Sequence, residues 1–198
     1  MPMIKENDPV VRLKNGDLDA LGVLYDRYNL MVYRTALAIT ADQEAANDLL
    51  QDVFLRLYRF ADRIDETRPL EPWLYRMTAN LSYTWVKKSR RWFHPLEDLA
   101  DWIASSTKNT PHDIVEQKDA WQQVQKAVAC LPVSQRVVVV LYYLNDLSLQ
   151  EISDILEIPV GTVKSRLHYG RQALKKQLKR FEGSISSEPF PDFHYEIY

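Results

Sequence analysis

The chain has 198 residues, 46% of them apolar and 26% charged, with a formal net charge of −2. That length holds one medium domain or two small ones, and the composition is neither that of a disordered chain nor that of a membrane protein. The single cysteine, Cys130, excludes a disulfide framework within the chain, and the near-neutral charge, taken as an average, argues against a nucleic-acid binder.

Met1 to Leu13 carries Lys5, Glu6, Asp8 and Arg12 and no apolar run, so no signal peptide is read there. The longest apolar-rich stretch, Val137 to Leu144, is far short of a bilayer span. A cytoplasmic protein without direct membrane insertion is expected. The five glycines form no phosphate-cradling loop, and the four histidines are scattered. No metal site, cofactor site or catalytic constellation is read, so an enzyme is not expected.

Hydrophobic spacing is helical nearly throughout. Leu21, Leu24, Tyr25, Tyr28, Met31, Val32, Thr35, Ala36 and Ile39 follow a three-four rhythm, as do Ala46, Leu49, Leu50, Val53 and Leu57. A further helix opens at Pro72, whose missing N–H suits a first turn, with Leu74, Met77, Leu81 and Trp85 as its buried stripe. The fold class is therefore all-α: two small helical domains joined by a flexible acidic linker. The first spans 1–93, the linker 94–113, the second domain 114–181, and an acidic, aromatic tail 182–198.

The helix from about Asp42 to Phe60 has a surplus feature. Leu55 falls opposite its buried side, among Asp48, Gln51, Asp52 and Arg59. That is either a tolerated surface leucine or the centre of a protein-binding patch with a charged rim. The Pro72 helix carries Trp73, Arg76, Asn80, Tyr83, Lys87 and Arg91 on one face, with Arg90 at its edge, and no acid between Pro72 and Leu96. Rings beside cations suit single-stranded nucleic acid, where bases stack and phosphates pair. The alternative is that Trp73 and Tyr83 are partly buried core aromatics, and for Trp73 the two readings fit equally well.

In the second domain, Ser148-Leu149-Gln150-Glu151 is a capping box opening a helix of about two turns. Glu157-Ile158-Pro159 ends it, and Val160-Gly161-Thr162 starts another. Val163, Leu167, Gly170 and Leu174 share one face of that second helix; Lys164, Ser165, His168, Tyr169, Gln172 and Lys175 share the other. Between Ile158 and Phe181 there are seven cations and no acid. A short capped helix, a tight turn and a basic second helix read as a helix-turn-helix that enters the major groove.

Taken together, Asn47 to Arg56 and Trp73 to Asn80 resemble region 2 of the bacterial sigma-70 family. Leu131-Pro132, Ser148 to Ile152 and Pro159 to Arg166 resemble region 4, and the order and total length are similar to the extracytoplasmic-function (ECF) group. The resemblance implies an alternative sigma factor with three surfaces. Asp48, Leu49, Gln51, Asp52, Leu55 and Arg56 would dock on the β′ clamp of RNA polymerase core. Trp73, Arg76, Asn80, Tyr83, Lys87, Lys88, Arg90 and Arg91 would meet the −10 promoter element, with the Ile64–Pro72 loop capturing a flipped base. Lys164, Ser165, Arg166, His168, Tyr169 and Arg171 would meet the −35 element, and the helix around Val137 to Leu144 would grip the β flap. An anti-sigma factor is the family's common partner. Glu157 departs from the family, which often has glycine or a small polar residue there. The competing reading is a stand-alone helix-turn-helix regulator that binds operator DNA without polymerase.

Overall fold

The computed structural model describes residues 8–92 and 123–182, with the side chains of 90–92 and 180–182 outside that description. The linker and all of the tail beyond residue 182 also lie outside it, and with them the expectations placed on both. Within the described residues every regular element is helical.

Each early helix starts at an aspartate. Asp8 caps α1 (Pro9–Lys14), accepting from the Val10 amide at 2.8 Å. Asp17 caps α2 (Leu18–Thr40) through the Asp19 amide at 3.0 Å, and Asp42 caps α3 (Gln43–Arg59) through the Ala45 amide at 2.8 Å. These carboxylates satisfy amides that have no partner inside the helix and sit at its positive end. A short 3-10 turn at Ala61–Arg63 and the loop after it lead to α4 (Glu71–Trp92). Leu24, Val32, Val53, Leu57 and Leu74 fill the space between α2, α3 and α4.

Residues 123–129 are helical and form α5; α6 (Val133–Tyr143), α7 (Leu149–Leu156) and α8 (Val160–Glu182) follow. The capping box of α7 is fully formed: the Glu151 amide donates to Ser148 Oγ at 3.2 Å and the Ser148 amide to Glu151 Oε2 at 2.8 Å. The Ser148 contacts also hold the Glu151 carboxyl below its ordinary pKa. At the other end of α7 the chain turns at Glu157 in the left-handed region, φ 53° and ψ 45°. The Ile158 amide then bonds back to the Ser153 carbonyl at 3.2 Å, and Ser153 Oγ donates to the Ile158 carbonyl at 2.6 Å. The expected break before Pro159 is thus set by a left-handed residue two positions earlier.

The two modules pack together through α2, α4, α6 and α7. Ile39, Ala79 and Val86 of the first lie in one apolar cluster with Leu131, Val138, Leu141, Ile152 and Val163 of the second. Arg136, only 3% exposed, donates through Nη1 to the Ile39 carbonyl at 2.6 Å and through Nη2 to the carbonyls of Leu131, at 3.1 Å, and Ala129. The Ile39 carbonyl belongs to the last turn of α2, where carbonyls lack helical partners and a cation is favoured. Asn145 Nδ2 donates to Thr35 Oγ1 at 3.0 Å. Arg76 and Glu157 form an ion pair across the same boundary. Arg136, Val137, Val138, Val139, Val140 and Leu141 are all buried, so α6 is the central helix of this arrangement.

Candidate nucleic-acid interface

The basic face of α8 forms as its spacing dictates. Val163, Leu167 and Gly170 are buried, while Lys164, Ser165, His168, Tyr169, Arg171, Gln172 and Lys175 are exposed and Arg166 is half-buried. Gly170 is the point of closest approach to α6: a Cβ there would stand 2.7 Å from Val139 Cγ2. His168 and Gln172 join through their side-chain nitrogens at 3.0 Å, and the His168 and Tyr169 rings meet edge-on at 5.5 Å. Arg171 is already held: its Nε donates to the Tyr143 hydroxyl at 2.7 Å, and its guanidinium lies 5.2 and 5.5 Å from the centres of the Tyr142 and Tyr143 rings. Tyr143 is 54% exposed beside it, a neighbour that the α8 pattern could not disclose.

On α4 the sequence-defined face divides in two. Asn80, Lys87 and Lys88 are exposed, and the Lys87 ammonium stands 5.0 Å over the Tyr83 ring. Trp73 is partly buried against the first core and Tyr83 against the second. Arg76 is occupied by Glu157. The helical backbone carries Arg90 and Arg91, whose side chains are outside the description.

The loop before α4 is shaped by Asp65, which accepts from the Thr67 hydroxyl at 2.5 Å and the Thr67 amide at 3.0 Å and pairs with Arg68 at 3.1 Å. The Thr67 hydroxyl, then its amide, holds the Asp65 carboxyl below its usual range. Between this loop, α1 and α2 lies a cleft of about 230 Å³, lined by Arg27, Tyr28, Glu66, Arg68 and Glu71 among others. It is smaller than the usual site for a drug-sized ligand. Tyr28 donates to Glu71 Oε1 at 2.9 Å, and burial, then that carboxylate, pushes its hydroxyl pKa up to about 12.

The α3 face presents Leu55, 54% exposed, with Asp48 and Gln51 exposed around it and Asp52 paired to Arg56 at 3.0 Å. Leu49 is not on this face; it is buried against α2 and α4 beside Ala36 and Ala46. Two aromatics extend the patch beyond the sequence-defined set. Tyr58 is 47% exposed, and Tyr25, whose rhythm placed it in the core, is 39% exposed with its ring edge-on to Phe54 at 4.9 Å. Among the described residues no group of three or more His, Cys, Asp or Glu could hold a metal ion. No helix there is long and apolar enough to cross a membrane.

These features define a two-module helical protein with a helix-turn-helix in its second half. Residues 24–92 match the Sigma-70 region 2 family and residues 121–174 match Sigma-70 region 4. The chain is 34% identical over 184 residues to the ECF RNA polymerase sigma factor SigW of Bacillus subtilis, covering 89% of this chain and 97% of that one. It is 31% identical to SigM of the same organism, over 79% and 94% of the two chains. Its fold is similar to that of CnrH solved with the cytosolic domain of CnrY (TM-score 0.64, 19% identity, 87% and 96% of the two chains covered). It is likewise similar to RpoE solved with the anti-sigma factor NepR from Bartonella quintana (TM-score 0.61, 21% identity, 80% and 96%). The chain belongs to the ECF sigma factors of the sigma-70 family and is an alternative sigma factor of transcription initiation.

Proposed function

We propose that this chain joins core RNA polymerase in the cytoplasm through the α3 patch centred on Leu55, and that it reads promoter DNA with α4 and α8. The observation that carries the reading is the coexistence of two basic helices with an apolar, acid-rimmed patch on a third. A stand-alone operator binder has no use for that patch. Leu55 supplies an exposed apolar anchor and Asp48, Gln51, Asp52 and Arg56 its polar rim, the usual anatomy of a protein interface. Lys164, Ser165, His168 and Tyr169 stand free of the core for duplex DNA, with Arg166 and Arg171 at the flanks. Asn80, Lys87 and Lys88 are open on α4, and the cleft at Tyr28 and Arg68 is the place for one unpaired base.

The protein's own role is binding, and polymerase supplies the chemistry. Capture of a flipped base offsets part of an unstacking cost of a few kcal/mol. An anti-sigma factor is a further expected partner, supported by the fold likeness to sigma factors solved with such partners. The test is binding of labelled chain to purified core polymerase. Saturable, sub-micromolar binding that Leu55→Asp weakens tenfold or more is expected; no binding to core returns the chain to the operator-binding reading.

A further inference from the structure

Tyr143 of α6 holds a residue of the basic helix. Gly170 lets α8 approach α6 so closely that a Cβ there would stand 2.7 Å from Val139 Cγ2. Tyr143 lies one turn beyond Val139, at the end of α6, and Arg171 directly follows Gly170. The close approach therefore sets the last turn of α6 against the exposed side of α8. There Arg171 Nε donates to the Tyr143 hydroxyl at 2.7 Å, and the guanidinium lies 5.2 Å from the centre of the Tyr142 ring and 5.5 Å from that of Tyr143. The two rings meet edge-on at 5.0 Å, and Tyr142 is packed on the core beneath them.

The pair is a poor structural tie. Tyr143 is 54% exposed and Arg171 is exposed beside it, so their bond adds little to the packing of α6 on α8. The partner is also a phenol and not a carboxylate. None of the ion pairs among the described residues includes Arg171, and α8 has no acid before Glu182. A carboxylate in place of Tyr143 would neutralise the guanidinium, whereas a hydroxyl orients it and leaves its charge whole. With Nε occupied, the two Nη groups remain as donors for an anion.

We propose that Tyr143 is a positioning residue for DNA binding: it aims Arg171 at a backbone phosphate, next to the bases faced by Lys164, Ser165 and His168. The proposal rests on the reading of α8 given above. Arg171 lies two turns past Lys164 on the same face, about 10 Å farther along the axis. In a major-groove helix the first turns meet base edges, and side chains farther along meet the sugar-phosphate wall. Holding a long side chain in its bound geometry removes rotamer freedom that binding would otherwise cost.

The test measures binding of the full chain, at low salt, to two DNA duplexes of about 20 base pairs, roughly two helical turns. One is of mixed sequence and the other has A·T pairs only. Tyr143→Phe keeps both rings and loses only the hydroxyl. It should weaken binding to both duplexes roughly threefold while keeping the parent's unfolding midpoint. Arg171→Ala should weaken both roughly tenfold and flatten the salt slope by about 1. In the Arg171→Ala background, Tyr143→Phe should have no further effect. Parent-like binding by Tyr143→Phe overturns the proposal. So does the same loss in both backgrounds, which would make Tyr143 a contact or packing residue in its own right. A loss by Arg171→Ala that is confined to the mixed duplex makes Arg171 a guanine reader and overturns the phosphate assignment. Lys164→Ala separates the proposal from the reading beneath it. If Lys164→Ala weakens binding and Arg171→Ala does not, the role of Tyr143 alone falls; if neither weakens it, α8 is not the DNA helix and both fall.

Discussion

Arg76 of α4 and Glu157, the left-handed residue between α7 and α8, form an ion pair that links the first module's basic helix to the turn of the helix-turn-helix. The two residues are 81 positions apart in the chain and belong to surfaces with separate roles. Glu157 bears two opposing terms. A non-glycine residue in this backbone region costs on the order of 1–2 kcal/mol, and a half-exposed ion pair returns at most about 1. Glu157→Gly should therefore leave the chain as stable as it is now or more so, and Glu157→Ala, which keeps the strain and loses the pair, should be less stable than Glu157→Gly by about 1 kcal/mol. Denaturant unfolding of the two variants checks this; equal midpoints would mean that the left-handed turn is not what the structure shows.

Gly170 fixes the spacing between α6 and α8. Gly170→Ala places a methyl group 2.7 Å from Val139 Cγ2, too close for either helix to keep its position. Overpacking of this kind costs about 1–3 kcal/mol. The substitution should lower the unfolding midpoint and weaken duplex DNA binding through α8, although Gly170 itself is buried away from the exposed face. A Val139→Ala partner substitution should recover most of the loss.

Tyr28 gives a pH signature. Its hydroxyl ionises near 12 in the folded chain because of burial and the Glu71 carboxylate, against 10.0 ordinarily. A group whose pKa rises on folding contributes stability that is full below its unfolded pKa and is lost as pH climbs toward the folded one. Stability should thus fall between about pH 10 and 12, and Tyr28→Phe should flatten part of that decline. Ultraviolet titration of tyrosinate should show late-ionising tyrosines, since burial also raises Tyr75, and the substitution should remove the component near 12.

Glu151 acts in the opposite direction. The Ser148 contacts lower its carboxyl pKa, so its share of stability is present above the unfolded carboxylate range and fades as pH falls through the folded value. Glu151→Gln keeps a hydrogen-bonding side chain without the charge. The protection of α7 amides, corrected for intrinsic exchange rates, should fall with acid in the parent chain and lose that fall in the variant.

Much of this architecture is legible before any coordinates. The capping box at Ser148 and Glu151, the polar face of α8 and the isolated Leu55 on α3 all depend on local periodicity, and each takes the position its spacing dictates. What the sequence conceals is pairing at long range. The valine run of α6 reads as buried, but nothing local says that α2 and α4 cover it. Tyr83 and Arg76 read as ligands for DNA because a ring and a cation look the same whether they await a nucleotide or a neighbouring module. Tyr25, which the α2 rhythm places in the core, is 39% exposed, whereas Leu49 is buried as the α3 rhythm places it and not on the face that the family resemblance assigns to it.

Promoter-specific run-off transcription with purified core polymerase, tested over a genomic fragment library with and without this chain, bears most directly on the central claim. The account predicts discrete transcripts that appear only when the chain is added. It also predicts that Asn80→Ala cuts open-complex formation more than polymerase binding. No chain-dependent transcript from any fragment, with polymerase active on a control sigma factor, would contradict it.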